Sequence, residues 1–206
     1  MNSQKITTLF LDIGGVLLTN GWGRSARQAA VTHFGLTMDE VDERHHLTFD
    51  TYESGKLTLD EYLNRIVFYE PRKFSKEEFM AFMFAQSQAL GKTIEFFKKI
   101  KEIYRLQVIA VNNEGRELNA YRIEKFRLRT LFDAFVSSSY VHLRKPDVDI
   151  FYMACDISQA APHEVLYIDD RNMFVEVARS IHLNGYHYQG LDAARVYMKS
   201  LGFEVP

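Results

Sequence analysis

Residues able to do chemistry stand at the ends of apolar runs in this 206-residue chain. The run L-F-L at 9–11 stops on Asp12, and the pair Gly14-Gly15 follows one residue later. A second run, 106–111, stops on Asn112-Asn113, and another, 165–168, stops on Asp169-Asp170. Continuous apolar runs of this length bounded by glycine or polar residues read as strands buried on both faces. In open α/β sheets, ligands bind outside the carboxyl ends of such strands. Asp12, Asn112, Asn113, Asp169 and Asp170 therefore converge at one sheet edge, with Lys145 opening a helix just ahead of the 165–168 strand. Carboxylates from two strands make a hard oxygen site suited to Mg²⁺, which keeps several waters and favours substrate phosphate. A lysine offsets negative charge on a carboxylate nucleophile and on a phosphoryl group, and an asparagine amide can donate to a phosphate oxygen. The set suits phosphoryl transfer, where positioning and charge neutralisation supply most of the catalysis.

The segments between these runs must hold them in place. Helix is expected at 24–34, stopped by Gly35, and at 37–52, stopped by Gly55. Thr58-Leu59-Asp60-Glu61 and Ser75-Lys76-Glu77-Glu78 are capping boxes that open two more helices. No strand signal interrupts these roughly 65 residues, which read as an all-helical insert. Its aromatic and methionine stripe (Phe79, Phe82, Met83, Phe84) is most simply helix–helix core. Past Gly91, helix and strand alternate: an amphipathic helix at 93–104, the 106–111 strand, a basic helix at 115–129 and a third strand, F-D-A-F-V, ending in a serine run. A helix opened by Lys145-Pro146-Asp147 follows, then the 165–168 strand, a helix at 173–181, a short strand at 185–188 and a closing helix from Leu191. That alternation predicts an α/β fold with a doubly wound parallel, Rossmann-like sheet. The expected division is a core of 1–20 plus 91–206 with a helical cap domain inserted at 21–90.

Composition narrows the classes. The chain is 47% hydrophobic and 25% charged with a net charge of −2, and its basic residues are scattered. Neither nucleic acid nor an anionic membrane surface is an expected partner. The N-terminal apolar stretch is too short for a signal peptide or membrane span. The one cysteine, Cys155, reads as a small core residue and fits a reducing cytoplasm. A monomer or homodimer acting on a small phosphorylated metabolite is expected.

Four motifs in this order resemble the haloacid dehalogenase-like superfamily along essentially the whole chain, with the helical cap inserted just after the first. They are D-I-G-G-V-L at 12–17, V-I-A-V-N-N at 108–113, R-K-P-D-V-D-I-F at 144–151 and Y-I-D-D-R at 167–171. The resemblance implies that Asp12 is the nucleophile, forming an aspartyl-phosphate, with Lys145 and Asn112 as its catalytic partners. It implies Mg²⁺ held by Asp12, the Gly14 carbonyl, Asp169 and Asp170, and substrate contacts from Gly15 and Asn113. Three departures stand out. Family phosphatases usually carry a second Asp, a general acid and base, where this chain has Gly14. Asn112 replaces the usual Ser or Thr of the second motif, and Phe174 stands where an Asn is often found. Some capped relatives with glycine in the first motif resemble sugar-phosphate phosphatases. Two other readings stay open: a catalytically weak binding or regulatory protein on the same fold, and a 2-haloacid dehalogenase, for which Asp169-Asp170 lack an obvious purpose.

Substrate selection in such a fold falls to the cap. Trp22 and Arg24, just past the first motif, are candidates for a sugar face and an anionic group; a hydrophobic hinge contact and a solvated helix start are their simpler readings. His45-His46 reads as surface or cap packing, since adjacent helix residues do not face each other. His142 reads as a loop histidine, and the basic stretch with Arg122, Lys125, Arg127 and Arg129 as a solvated face.

Overall fold

The computed structural model describes residues 5–204; the outermost ends of the expected core and the start of the N-terminal stretch lie outside them. Five strands form one parallel sheet: β1 (Thr8–Leu11), β2 (Gln107–Asn112), β3 (Ala134–Ser137), β4 (Val165–Asp169) and β5 (Asn184–His187), in the spatial order β3-β2-β1-β4-β5. The chain runs outward from β1 to β3, then returns to the other side of β1 for β4 and β5. The reversal lies between β1 and β4, where a doubly wound sheet opens its ligand crevice.

The apolar runs explain the strands. Leu9 and Leu11 of β1 pack with Val108, Ala110, Leu166 and Ile168 on one face, beneath α5 (Thr93–Tyr104) and α10 (Leu191–Ser200). Phe10 packs with Ile109, Val111 and Tyr167 on the other face, beneath α8 (Asp149–Ser158) and α9 (Asn172–Ser180). Both faces are covered, so the strands need to be apolar throughout. Cys155 lies in this second layer, as the composition suggests.

Between β1 and α5 lie four helices: α1 (Arg24–Phe34), α2 (Met38–Glu53), α3 (Leu59–Ile66) and α4 (Lys76–Ala85). Both capping boxes are formed, Thr58 with Glu61 and Ser75 with Glu78. Trp22, Tyr52, Tyr62, Leu63, Phe79 and Met83 bury one another in a third apolar cluster. The segments entering and leaving these helices meet at Leu18 and Ala89, which form an isolated antiparallel bridge, and Thr19 donates through its backbone N–H to the Gln88 carbonyl at 2.8 Å.

Three local expectations change. The helix expected from Lys145-Pro146-Asp147 begins only at Asp149. Lys145 is instead tied to the β2 end: its N–H donates to Asn113 Oδ1 at 2.9 Å while Asn113 Nδ2 donates to its carbonyl at 2.8 Å. A turn from Arg144 to Asp147 separates that anchor from α8. The basic helix is shorter than expected. It is α6 (Arg116–Lys125), ended where Arg127 turns left-handed (φ 51°), with a 3₁₀ turn at Leu128–Thr130. The serine run after β3 is not simply a strand end but a single helical turn, α7 (Ser138–Val141).

Candidate active site

The carboxyl edge of β1 and β4 carries the chemistry. Asp12 continues the ladder past Leu11, its N–H donating to the Ile168 carbonyl at 3.0 Å, and so lies beside Asp169 at the end of β4. Lys145 stands between the two carboxylates, its Nζ 3.1 Å from Asp12 Oδ1 and 2.6 Å from Asp169 Oδ2. All three are buried. Burial pushes the Asp12 carboxyl up to about 7; Lys145 opposes that rise, and the charges of Asp169 and Asp170 add to it. Burial alone would lower the Lys145 ammonium, but facing Asp12 and Asp169 outweighs it and the pKa rises.

The paired aspartates have different surroundings. Asp169 is engaged on both oxygens: Oδ2 accepts from Lys145 and from the Tyr167 hydroxyl, and Oδ1 accepts from the Arg171 N–H at 2.7 Å. Asp170 accepts on Oδ2 from Asn20 Nδ2 at 3.1 Å, while its buried Oδ1 has no partner. Oxygens of Asp12, Asp169 and Asp170 lie within 4.8 Å of one another. An acidic trio with one lysine and an orphaned buried oxygen fits a divalent cation, because buried polar atoms are otherwise satisfied. Gly15 serves this arrangement through what it lacks. Its φ is +73°, and a Cβ there would fall 2.1 Å from Asp170 Oδ2.

The other sequence-predicted residues fall around this centre. Asn112 is buried; its Nδ2 donates to Asn119 Oδ1 at 3.0 Å, and its Oδ1 accepts from Ser137 Oγ at 2.8 Å. That leaves one amide hydrogen without a named acceptor. Asn113 uses its amide to fasten Lys145. Trp22 lines the cleft above the site, yet its indole N–H donates to the Tyr62 hydroxyl at 3.0 Å and its ring meets Phe79 edge-on. Arg24 also lines the cleft, with its side chain 76% exposed and 3.5 Å from Asp42. His45 packs on Phe49 and reaches the Tyr62 hydroxyl at 2.6 Å; burial holds its pKa down at about 3. His142 is an exposed loop residue bonded to the Ser54 carbonyl.

The cleft itself, about 690 Å³, lies between the sheet edge and helices α1 and α2. It has the size of a small-molecule site. Several of its residues escape a sequence reading. Arg122, expected on a solvated face, is 2% exposed: Nη1 pairs with Glu114 Oε2 at 2.5 Å and Nη2 donates to the Thr19 carbonyl at 2.6 Å. It shares a helix face with Leu118 and Asn119, and that 3.6-residue pattern is a signal for burial. Glu114 continues the Asn112-Asn113 strand end and could have been found there. Tyr52, Arg27 and Asn20 carry no comparable local pattern.

A sequence model of the haloacid dehalogenase-like hydrolases matches residues 6–181. The chain belongs to that family. No curated protein matches it. Among solved structures, a HAD family enzyme of Bacteroides thetaiotaomicron in complex with magnesium and inorganic phosphate is 20% identical, with a TM-score of 0.77 over 90% of this chain and 95% of that one. A HAD-like family hydrolase from Porphyromonas gingivalis is also 20% identical, with a TM-score of 0.74 over 97% and 98%. The L-2-haloacid dehalogenase of Xanthobacter autotrophicus, with chloropropionic acid covalently bound, is 11% identical, with a TM-score of 0.64 over 98% and 84%. The fold is thus that of the haloacid dehalogenase-like hydrolases, and the chain is a hydrolase of that family. No described helix is long and apolar enough to cross a membrane.

Proposed function

We propose that this hydrolase is a Mg²⁺-dependent phosphatase that removes a phosphoryl group from a small metabolite, with a sugar phosphate as one fitting substrate, through an aspartyl-phosphate at Asp12. The observation that carries this reading is the acidic edge itself: Asp12 at 3.1 Å from Lys145, with the orphaned Asp170 Oδ1 beside it. Asp12 is the one carboxylate there whose partner is a lysine it shares rather than a full set of donors. Its oxygen attacks phosphorus in line with the departing oxygen. Lys145 lowers the cost of bringing a phosphate dianion up to a carboxylate, and Asp169 fixes Lys145. Asn112 has one N–H left for a phosphoryl oxygen. Asp12, Asp170 and the Gly14 carbonyl would hold the Mg²⁺, with Asp169 contributing chiefly through Lys145; bound there, the ion would neutralise charge on the phosphoryl oxygens. Residues 21–90 act as a cap over a core of 1–20 and 91–206, closing the cleft against water. A cytoplasmic setting, as monomer or homodimer, accords with this reading. A 2-haloacid dehalogenase would leave Asp170 Oδ1 without a use.

A panel of phosphorylated metabolites, with p-nitrophenyl phosphate and acetyl phosphate included, is the test. With millimolar Mg²⁺ the wild type should hydrolyse at least one, and at a concentration near 100 Kd the ion should add about 2.7 kcal/mol to folding stability. Beryllium fluoride should bind in place of the phosphoryl group. No turnover of any phosphate and no beryllium fluoride binding would overturn the phosphatase reading.

A further inference from the structure

A phosphate ester of an ordinary alcohol leaves slowly unless its oxygen is protonated as it departs. The position two residues after Asp12 is Gly14, which has no side chain to supply that proton. Gly14 is outside the positive-φ glycines, so its backbone does not require glycine. The space above it is nonetheless furnished. A Cβ at position 14 would lie 3.0 Å from Asn20 Oδ1 and 3.9 Å from Arg122 Nη1, and that same Nη1 holds Glu114 Oε2 at 2.5 Å. Glu114 stands on the loop after β2, at the same sheet edge as Asp12, and lines the same cleft. Gly21 leaves room for it: a Cβ there would fall 2.7 Å from Glu114 Oε2.

We infer that Glu114, on the loop after β2 and held by the same Arg122 guanidinium that borders the space above Gly14, is the general acid and base of this hydrolase. The inference rests on the phosphatase reading and deepens it. Arg122 and Ser138 position the group, the latter accepting the Glu114 N–H on Oγ at 3.1 Å. The charged and titratable groups facing Glu114 are Arg122 from α6 and Tyr52 and Glu53 from α2, together with the Gly115 N–H; Glu117 of α6 faces Tyr52 in turn. Burial raises the Glu114 carboxyl, Arg122 lowers it, and Glu53 raises it again; the direction that survives is upward, toward the protonated form an acid needs. The Tyr52 hydroxyl, buried without a partner against Gly115, offers the leaving alcohol a further hydrogen bond.

The proton count closes. In the first step the Asp12–phosphorus bond forms while the bond from phosphorus to the leaving oxygen breaks, and that oxygen takes the Glu114 proton and departs as an alcohol. In the second, Glu114 carboxylate takes a proton from the water that attacks phosphorus, the Asp12–phosphorus bond breaks, and phosphate leaves with both carboxyl groups restored.

Single-turnover release of the leaving group separates this role from a structural one. With Mg²⁺ present, Glu114→Gln should slow release from β-glycerophosphate by about 10²–10⁴-fold, while the burst of p-nitrophenolate from p-nitrophenyl phosphate, which needs no proton, stays within a few-fold of wild type. Equal loss on both substrates, no loss on β-glycerophosphate, or a wild type that cleaves only p-nitrophenyl phosphate overturns the inference and leaves the phosphatase reading standing. Absence of release from every ester by the wild type instead sinks that reading. Should Glu114→Gln fail to fold, the wild-type rates decide: release from β-glycerophosphate should fall as a group deprotonates with rising pH, and p-nitrophenolate release should not. Parallel pH profiles overturn the assignment.

Discussion

Asp12→Asn should abolish turnover of every phosphorylated substrate, with a loss of about 10⁴-fold or more, while the protein remains folded. The amide keeps the shape of the side chain but is no nucleophile, so no covalent step replaces the one lost. Stability should fall little, because the variant removes one of three clustered carboxylates from a buried edge holding a single lysine. Steady-state assay and urea denaturation of the same preparation check both halves. Activity that persists within tenfold would show that the nucleophile is elsewhere.

Lys145→Met should be damaging in both respects. Lys145 Nζ is 1% exposed at the side chain and is the cation shared by Asp12 and Asp169, so its removal leaves two buried carboxylates facing each other. Breaking a buried pair from one side costs about 3–5 kcal/mol. Without added metal, the free energy of unfolding should drop by that amount, lowering the denaturation midpoint, and turnover should fall with it. Mg²⁺ should recover part of the stability and little of the activity, since a cation beside Asp170 offsets charge but cannot occupy the lysine's place against Asp169. A variant as stable as wild type in metal-free buffer would contradict the placement of Lys145 between the carboxylates.

Much of this was legible in the residues. The strands announce themselves because each is buried on two faces, so Leu9, Phe10 and Leu11 all had to be apolar although they point into different layers. The capping boxes at Thr58 and Ser75 act through contacts three residues apart and are read directly. The convergence of Asp12 with Asp169 follows from parallel topology, since parallel strands present all their carboxyl ends at one edge.

What stayed hidden depends on contacts far apart in sequence. Nothing near Asp169 or Asp170 says that the first is engaged on both oxygens by Lys145, Tyr167 and the Arg171 N–H while the second keeps a free oxygen. Trp22 reads as a substrate platform or a hinge contact until Tyr62, 40 residues on, claims its N–H. Arg122 looks like one more charge in a basic stretch until Thr19, 103 residues away, and Glu114 receive it. The start of α8 is misjudged for the same reason: Asn113 holds Lys145 to the sheet, so the helix has to begin after the turn that follows.

Phosphorylation of Asp12 is the central claim, and acid-quenched turnover tests it most directly. Wild-type protein mixed with Mg²⁺ and a ³²P-labelled substrate from the panel, then quenched in acid within one turnover, should carry label on the peptide containing Asp12. The label should be lost on exposure to hydroxylamine, as an acyl phosphate is, and Asp12→Asn should carry none. Label on another residue, or turnover by a wild type in which no label is ever trapped at Asp12, would contradict the account.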